Sequence, residues 1–204
     1  MPNLDQDHLA WLVRNGRTIF LDTAKDRYFR LPSDRDREFR TRLSHEGAED
    51  WRQPADLPRP AKWALPQIAF DPATDARFSL SGVAAAIWFQ RRIEHRLASR
   101  GLQAVLLDLI KVLPENPSAE PDWSAFNSIV LAFEHAKLLR TAANRCLPRS
   151  LALVTRLASL RIRAELVIGV RNDPFGAHSW AQHNGVVLND SLEETRRYEP
   201  ILVV

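Results

Sequence analysis

Three side chains in the last third of the chain are of the types that nucleophilic catalysis requires. Cys146 is the sole cysteine among 204 residues. It lies in "NRCLPRSLALV", two residues before Pro148 and at the head of an apolar run. Proline is tolerated in the first turn of a helix, where its missing N–H had no partner anyway. The spacing therefore predicts a helix over roughly 147–160, with Cys146 at its N-terminal end. There the helix dipole and the first-turn amides favour a thiolate and lower the thiol pKa. The same amides can hold an oxyanion. Against this stands the ordinary use of a lone cysteine as a small buried apolar residue.

A thiolate nucleophile needs a general base, and the base needs an orienting acceptor. His178 opens and Asp190 closes the hairpin "HSWAQHNGVVLND". If Asn184–Gly185 forms a two-residue loop, residue 178 opposes 191 and Asp190 turns to the other sheet face. If the loop is His183–Asn184–Gly185, residue 178 opposes 190, and directly opposed residues share a face about 4.5–5.5 Å apart at Cβ. The triad thus demands a three-residue loop closed by a bulge at Gly185. The alternative is a polar residue at each end of an ordinary hairpin.

The remaining histidines carry less. His8, His45, His95 and His135 sit in charged helical or terminal contexts, and His183 lies in the turn. There is no H-E-x-x-H pair, no phosphate loop and no dinucleotide fingerprint, so neither a metal nor another cofactor is expected. One cysteine excludes an intramolecular disulfide and thiolate-rich metal sites, and fits a reducing compartment.

The elements that must position these groups read in two halves. "HLAWLVR", "TIFLD" and "RYFRL" are short strands, the first two joined by Asn15–Gly16, a strong hairpin signal. A helix follows, with Ser33 as its cap and Gly47 at its end. Arg52–Gln67 holds four prolines, which deny a helix interior. This stretch reads as a linker, or as an ordered strap given Trp63 and Leu65. From Ser79 onward a helical stripe runs through Ala84, Ile87, Trp88, Arg91, Ile93 and Leu97. A short helix near 103–112 comes next, then a loop around 114–123 and a third helix capped by Ser124 and running towards Arg145. After the cysteine helix, Ala164, Leu166, Ile168 and Val170 alternate as a strand, followed by the hairpin. Helices followed by an antiparallel sheet make this half α+β.

Composition sets the class. The chain is 45% apolar and 26% charged, as in ordinary soluble domains. Its formal net charge is only +3. Acids interleave with the arginines, so nucleic-acid binding is not indicated, while a locally basic groove for an acidic peptide stays open. The start lacks the basic and long apolar regions of a signal peptide, and no stretch approaches a bilayer span. The expectation is a cytoplasmic protein that engages no membrane.

The stretch from Arg145 to Asp190 strongly resembles the lasso-peptide biosynthesis B family. Its pattern is C-L-x-R-S-L-A-L, a helix, L-V-I-G-V-R, P-F-x-A-H-x-W, and a hairpin ending in aspartate. A departure is "AQHNG" where V-E-x-D-G is more usual, which alters the hairpin rim rather than the chemistry. The resemblance implies a papain-related, transglutaminase-like cysteine protease domain over 79–204. Cys146 would be its nucleophile, His178 its base and then acid, Asp190 the orienting carboxylate, and Trp180 an aromatic at the site, counted with the substrate-binding residues and either shielding the pair or plain core. Ser150 would be structural in the helix's first turn.

The opening half, over 1–51, looks like the small winged-helix-like β-β-β-α module that often accompanies these proteases, with 52–78 as the proline-rich link. The module implies recognition of a precursor's leader by strand addition, here along Arg27, Tyr28, Phe29, Arg30 and Leu31. Tyr28 and Phe29 fall on opposite faces, so at most one of them is expected in a core. The implied activity is removal of the leader, which frees the core amine for ring closure by an ATP-using, asparagine-synthetase-like cyclase partner. Two alternatives stay open: an acyl transferase with the same triad, and a precursor-binding chaperone in which those residues are structural.

Overall fold

A computed structural model describes residues 7–71, 78–116, 121–140 and 145–204. The chain opens with β1 (Leu9–Arg14), β2 (Arg17–Asp22) and β3 (Arg27–Phe29), then α1 (Ser33–Glu46) and β4 (Trp51–Arg52). The turn between β1 and β2 has positive φ at both Asn15 and Gly16, the two-residue type whose twist matches the strands it joins. The helix departs from expectation at its start. Ser33 is the first helical residue, Pro32 holds the cap position, and no side chain caps the end. Asp36 is instead buried and accepts from the Thr18 N–H at 3.0 Å, tying α1 to β2.

The first sheet runs β3-β2-β1-β4, so Trp51–Arg52 adds a fourth strand beside the three expected ones. Its two faces alternate as a half-buried strand should. Trp11, Phe20 and Phe29 pack with Phe39 and Leu43 of α1, and Phe29 stacks on Phe20 at 4.9 Å. Ala10, Ile19, Leu21 and Tyr28 face the other way and join the main core. Both β3 aromatics are therefore packed, each against a different cluster, because this sheet is covered on both sides.

The proline-rich segment runs as a strap. Gln53 brackets the last strand of the chain, donating to the Val203 carbonyl at 2.9 Å and accepting from its N–H at 3.1 Å. Leu57 is fully buried in the main core. The strap ends in β5 (Ile68–Ala69), while Leu65 is exposed.

Next come α2 (Leu80–Val112), α3 (Trp123–Leu139) and α4 (Cys146–Ala158). Non-helical Gly101 breaks α2, which gives the short second helix. The buried face of α2 is Val83, Ala86, Gln90 and Ile93, while Trp88 is 53% exposed. Of the expected stripe, Ile93 is buried and Ile87 and Leu97 pack against the main core, while Trp88 lies outside against Phe89. Asp122, not Ser124, caps α3. The expected run of that helix to Arg145, like part of the 114–123 loop, includes positions outside the described residues.

Then follow β6 (Glu165–Arg171), β7 (Gly176–His183), β8 (Val186–Val187), α5 (Leu192–Thr195) and β9 (Glu199–Val203). The second sheet runs β5-β8-β7-β6-β9. Helix α4 lies between this sheet and the helices α2 and α3. It buries Leu151, Ala152, Leu153, Val154 and Leu157 completely. Fully burying a leucine or valine contributes about 1.5–3 kcal/mol each, so α4 is firmly held in the core and gives a reactive group at its start a fixed base. The architecture is α+β.

Candidate active site

Cys146 is the first residue of α4, and its only slightly exposed thiol faces the start of β7. Pro148 is in the first turn, and Arg145 at the cap position supplies no side-chain bond. No capping oxygen therefore competes at this helix end. His178, near the start of β7, places Nε2 2.8 Å from Asp190 Oδ2. That leaves Nδ1 for the thiol. The structure thus brings Cys146, His178 and Asp190 together.

Asp190 does not arrive as the hairpin arithmetic required. The loop has two residues, Asn184 and Gly185, both with positive φ, and Gln182 pairs with Val187. Extended along the ladder, Asp190 would face away. The chain instead leaves the sheet. After the Leu188 N–H bonds the Ala181 carbonyl at 2.9 Å, the Asn189 side chain takes over, its Oδ1 accepting from the Ala181 N–H at 2.8 Å. Asn189 Nδ2 then donates to Ser150 Oγ at 2.9 Å. Ser150 Oγ lies 2.9 Å from the Cys146 carbonyl and 3.1 Å from that of Ser179. One buried polar cluster thereby fixes the head of α4, strand β7 and the bend carrying Asp190. Asn189 escaped sequence reasoning; a strand ending in L-N-D was its only trace.

The electrostatics follow from these contacts. Burial pushes the Cys146 thiol up, but hydrogen bonds from His178 and Ser179 outweigh it and hold the thiol down at about 7. Burial alone would lower His178; Asp190 and the thiolate reverse this and raise it to about 9. Burial likewise opposes the Asp190 charge, yet His178 and the Ser191 N–H keep its pKa below the ordinary value. Between these limits the pair is thiolate and imidazolium.

His178 is walled by rings. Tyr198 lies 5.1 Å away and Trp180 is stacked at 6.3 Å, centroid to centroid. Trp180 is 1% exposed and donates from Nε1 to Gln182 Oε1. It is a floor beneath the histidine and offers no surface to a substrate, contrary to a substrate-binding part. Gly169 lies under both rings. A Cβ there would come within 2.9 Å of Trp180 Cζ3 and 2.9 Å of Tyr198 Cβ.

The β3 residues lie to one side. β3 is the end strand of its sheet, so among the described residues its outer edge has no ladder partner. Arg27 is exposed over the Phe29 ring. Leu31 joins Phe29 against the α1 cluster. Arg30 donates to the Asn172 carbonyl at 2.7 Å and lies over Phe175. Tyr28 packs 5.7 Å from Phe175, and burial, then the nearby Cys146 charge, raises its hydroxyl pKa.

No helix of the described residues is long and apolar enough to cross a membrane. Over 46 residues the chain is 52% identical to the microcin J25-processing protein McjB of Escherichia coli, a stretch covering 22% of this chain and 22% of that protein. No solved structure gives a significant match. The model of the transglutaminase-like superfamily matches residues 87–203. That span carries α4, β7 and the bend at Asp190, and with more than half its length matched the chain belongs to the transglutaminase-like superfamily.

Proposed function

We propose that the protein is a cysteine peptidase that removes the leader from a ribosomally made lasso-peptide precursor. The observation that carries this reading is the Cys146–His178–Asp190 line, with Nε2 held at 2.8 Å and the other imidazole nitrogen turned to a thiol lowered to about 7. The likeness to a microcin-processing protein directs it to a peptide precursor.

In this reading Cys146 Sγ attacks the scissile carbonyl. The first-turn amides of α4 stabilise the oxyanion. His178 Nδ1–H protonates the departing core amine as the C–N bond breaks, leaving a thioester. His178 then takes a proton from water, whose hydroxide attacks the thioester carbonyl; the C–S bond breaks, the carboxylic acid product leaves, and the thiolate–imidazolium pair is restored. Asp190 keeps the ring oriented and stabilises its charged form. Residues 1–51 act as the leader-recognition module, 52–78 tie it to the catalytic unit over 79–204, and the leader adds to the edge of β3. The freed amine is the substrate of a partner cyclase.

The test incubates a leader–core precursor with wild-type protein and with Cys146→Ala, each with and without the cyclase, and reads the products by mass. A single cut by wild type alone, with one water added, is the expected result. Binding by both proteins and cutting by neither, cyclase present, would sink the peptidase reading.

A further inference from the structure

A cavity of about 600 Å³ opens between the first sheet and the C-terminal end of β6 in the second, within the size range of ligand clefts. Five arginines line it: Arg14, Arg17, Arg30, Arg171 and Arg197. Two are matched by carboxylates, Arg14 by Glu199 at 2.5 Å and Arg197 by Glu193 and Glu194. Among the described residues Arg17, Arg30 and Arg171 have no carboxylate within ion-pair distance. Asp173 is the one further acid on the wall. The cleft therefore carries surplus positive charge.

The guanidinium groups of Arg17, Arg30 and Arg171 offer donors that a carboxylate takes up bidentately, in the geometry guanidinium favours.

The cleft is also next to the catalytic line. The Arg171 guanidinium lies 5.4 Å over the Tyr198 ring, itself 5.1 Å from His178. On the other wall Arg30 lies 5.3 Å over Phe175, which is 5.7 Å from Tyr28. The two steps from Arg171 to His178 reach at most about 10 Å, no more than about three residues of extended chain. We infer that this cleft binds an acidic segment of the peptide substrate, seating an Asp or Glu side chain within about three residues of the bond presented to Cys146. The inference rests on the peptide-cleaving reading and names a substrate preference within it.

The test uses full-length Cys146→Ala protein, so binding is read without cleavage. Fluorescence anisotropy follows a labelled hexaglutamate peptide and its hexaglutamine counterpart, in low and moderate salt. The glutamate peptide should bind at least about tenfold tighter and weaken with salt. Arg17→Glu, at an exposed position, should lose about tenfold, and Arg171→Gln at least as much. Arg171→Lys should recover only part, because lysine keeps the charge without the fork. Equal binding of the two peptides, or unchanged binding by Arg17→Glu and Arg171→Gln alike, overturns the inference. So does displacement by tripolyphosphate at far lower concentration than by unlabelled hexaglutamate. Charge-dependent binding alongside a wild type that cuts no precursor would remove the peptidase reading and leave the cleft's preference for acidic peptide intact.

Discussion

Replacing His178 by Gln should move the titration of the single thiol. In wild type the thiol is held at about 7, mainly by hydrogen bonds from His178 and Ser179 acting against burial. Without the imidazole, burial remains and the thiol returns to the ordinary range of about 8.5 or higher. At pH 7.5 the thiolate fraction falls from about three quarters to about a tenth. Reaction with a disulfide reagent slows by less than this, because a more basic thiolate is intrinsically the better nucleophile. With a Brønsted slope of about 0.4–0.5, that returns about fivefold. The net loss is under about twofold at pH 7.5 and grows to about sixfold near pH 6. A rate at one pH is thus a weak readout, and the midpoint of the profile is the decisive one. Thiolate absorbance in the ultraviolet measures it directly, and since Cys146 is the sole cysteine the whole signal belongs to it. Wild type should show a step at about 7 and His178→Gln a step at 8.5 or above, with circular dichroism confirming the fold. A wild-type midpoint in the ordinary thiol range, or one that His178→Gln leaves in place, would refute the ion pair. Peptide cleavage should follow a bell, rising through about 7 and falling as His178 loses its proton through about 9. Asp190→Asn should draw the upper limb down.

Other perturbations test the frame around the pair. Gly169→Ala puts a Cβ 2.9 Å from Tyr198 Cβ, an atom that no change of rotamer moves away. It should cost about 1–3 kcal/mol, several degrees in Tm by calorimetry, and lower kcat as the walls of His178 shift. Asn189→Ala leaves the Ala181 N–H buried without its acceptor. It should cost about 1–3 kcal/mol in denaturant unfolding, with kcat/KM falling as Asp190 loosens. Glu165 has its carboxyl raised to about 7 by burial, and its Oε2 has no partner. The folded state then holds a proton that the unfolded chain releases near the ordinary carboxyl pKa of about 4.3. Stability falls as pH rises from there through about 7. Glu165→Gln should raise the urea midpoint more at pH 8 than at pH 5; an equal effect at both would exclude this source.

The sequence made the candidate residues of this site legible, and it hid how they are positioned. Cys146 before Pro148, the strand opening at His178 and the two Asn-Gly turns are local signals, and each sits where its chemistry or backbone geometry put it. Asp190 shows where local reasoning stops. Asn184–Gly185 is the ideal pair for a two-residue loop, and ladder arithmetic then turns Asp190 away from His178. The structure honours the turn and still makes the 2.8 Å contact, because the Asn189 side chain replaces the ladder and lets the chain bend. That exchange needs Ser150, on a different element, so no window of sequence around the hairpin contains it. In α2 the expected stripe holds only in part: Ile93 is buried and Ile87 and Leu97 pack against the main core, while Ala84 and Trp88 face outward and Gln90 is buried in their stead. Tyr198, just before β9, lies 5.1 Å from His178 beside a β6–β9 ladder whose register shifts between Ile168 and Gly169. Yet one local trace of that meeting existed. A glycine in mid-strand is costly unless something must come close, and Gly169 sits in an otherwise apolar strand. Its missing side chain is the space in which Trp180 and Tyr198 close around the histidine, so the single weak residue of that strand marked the back of the site before any neighbour could be named.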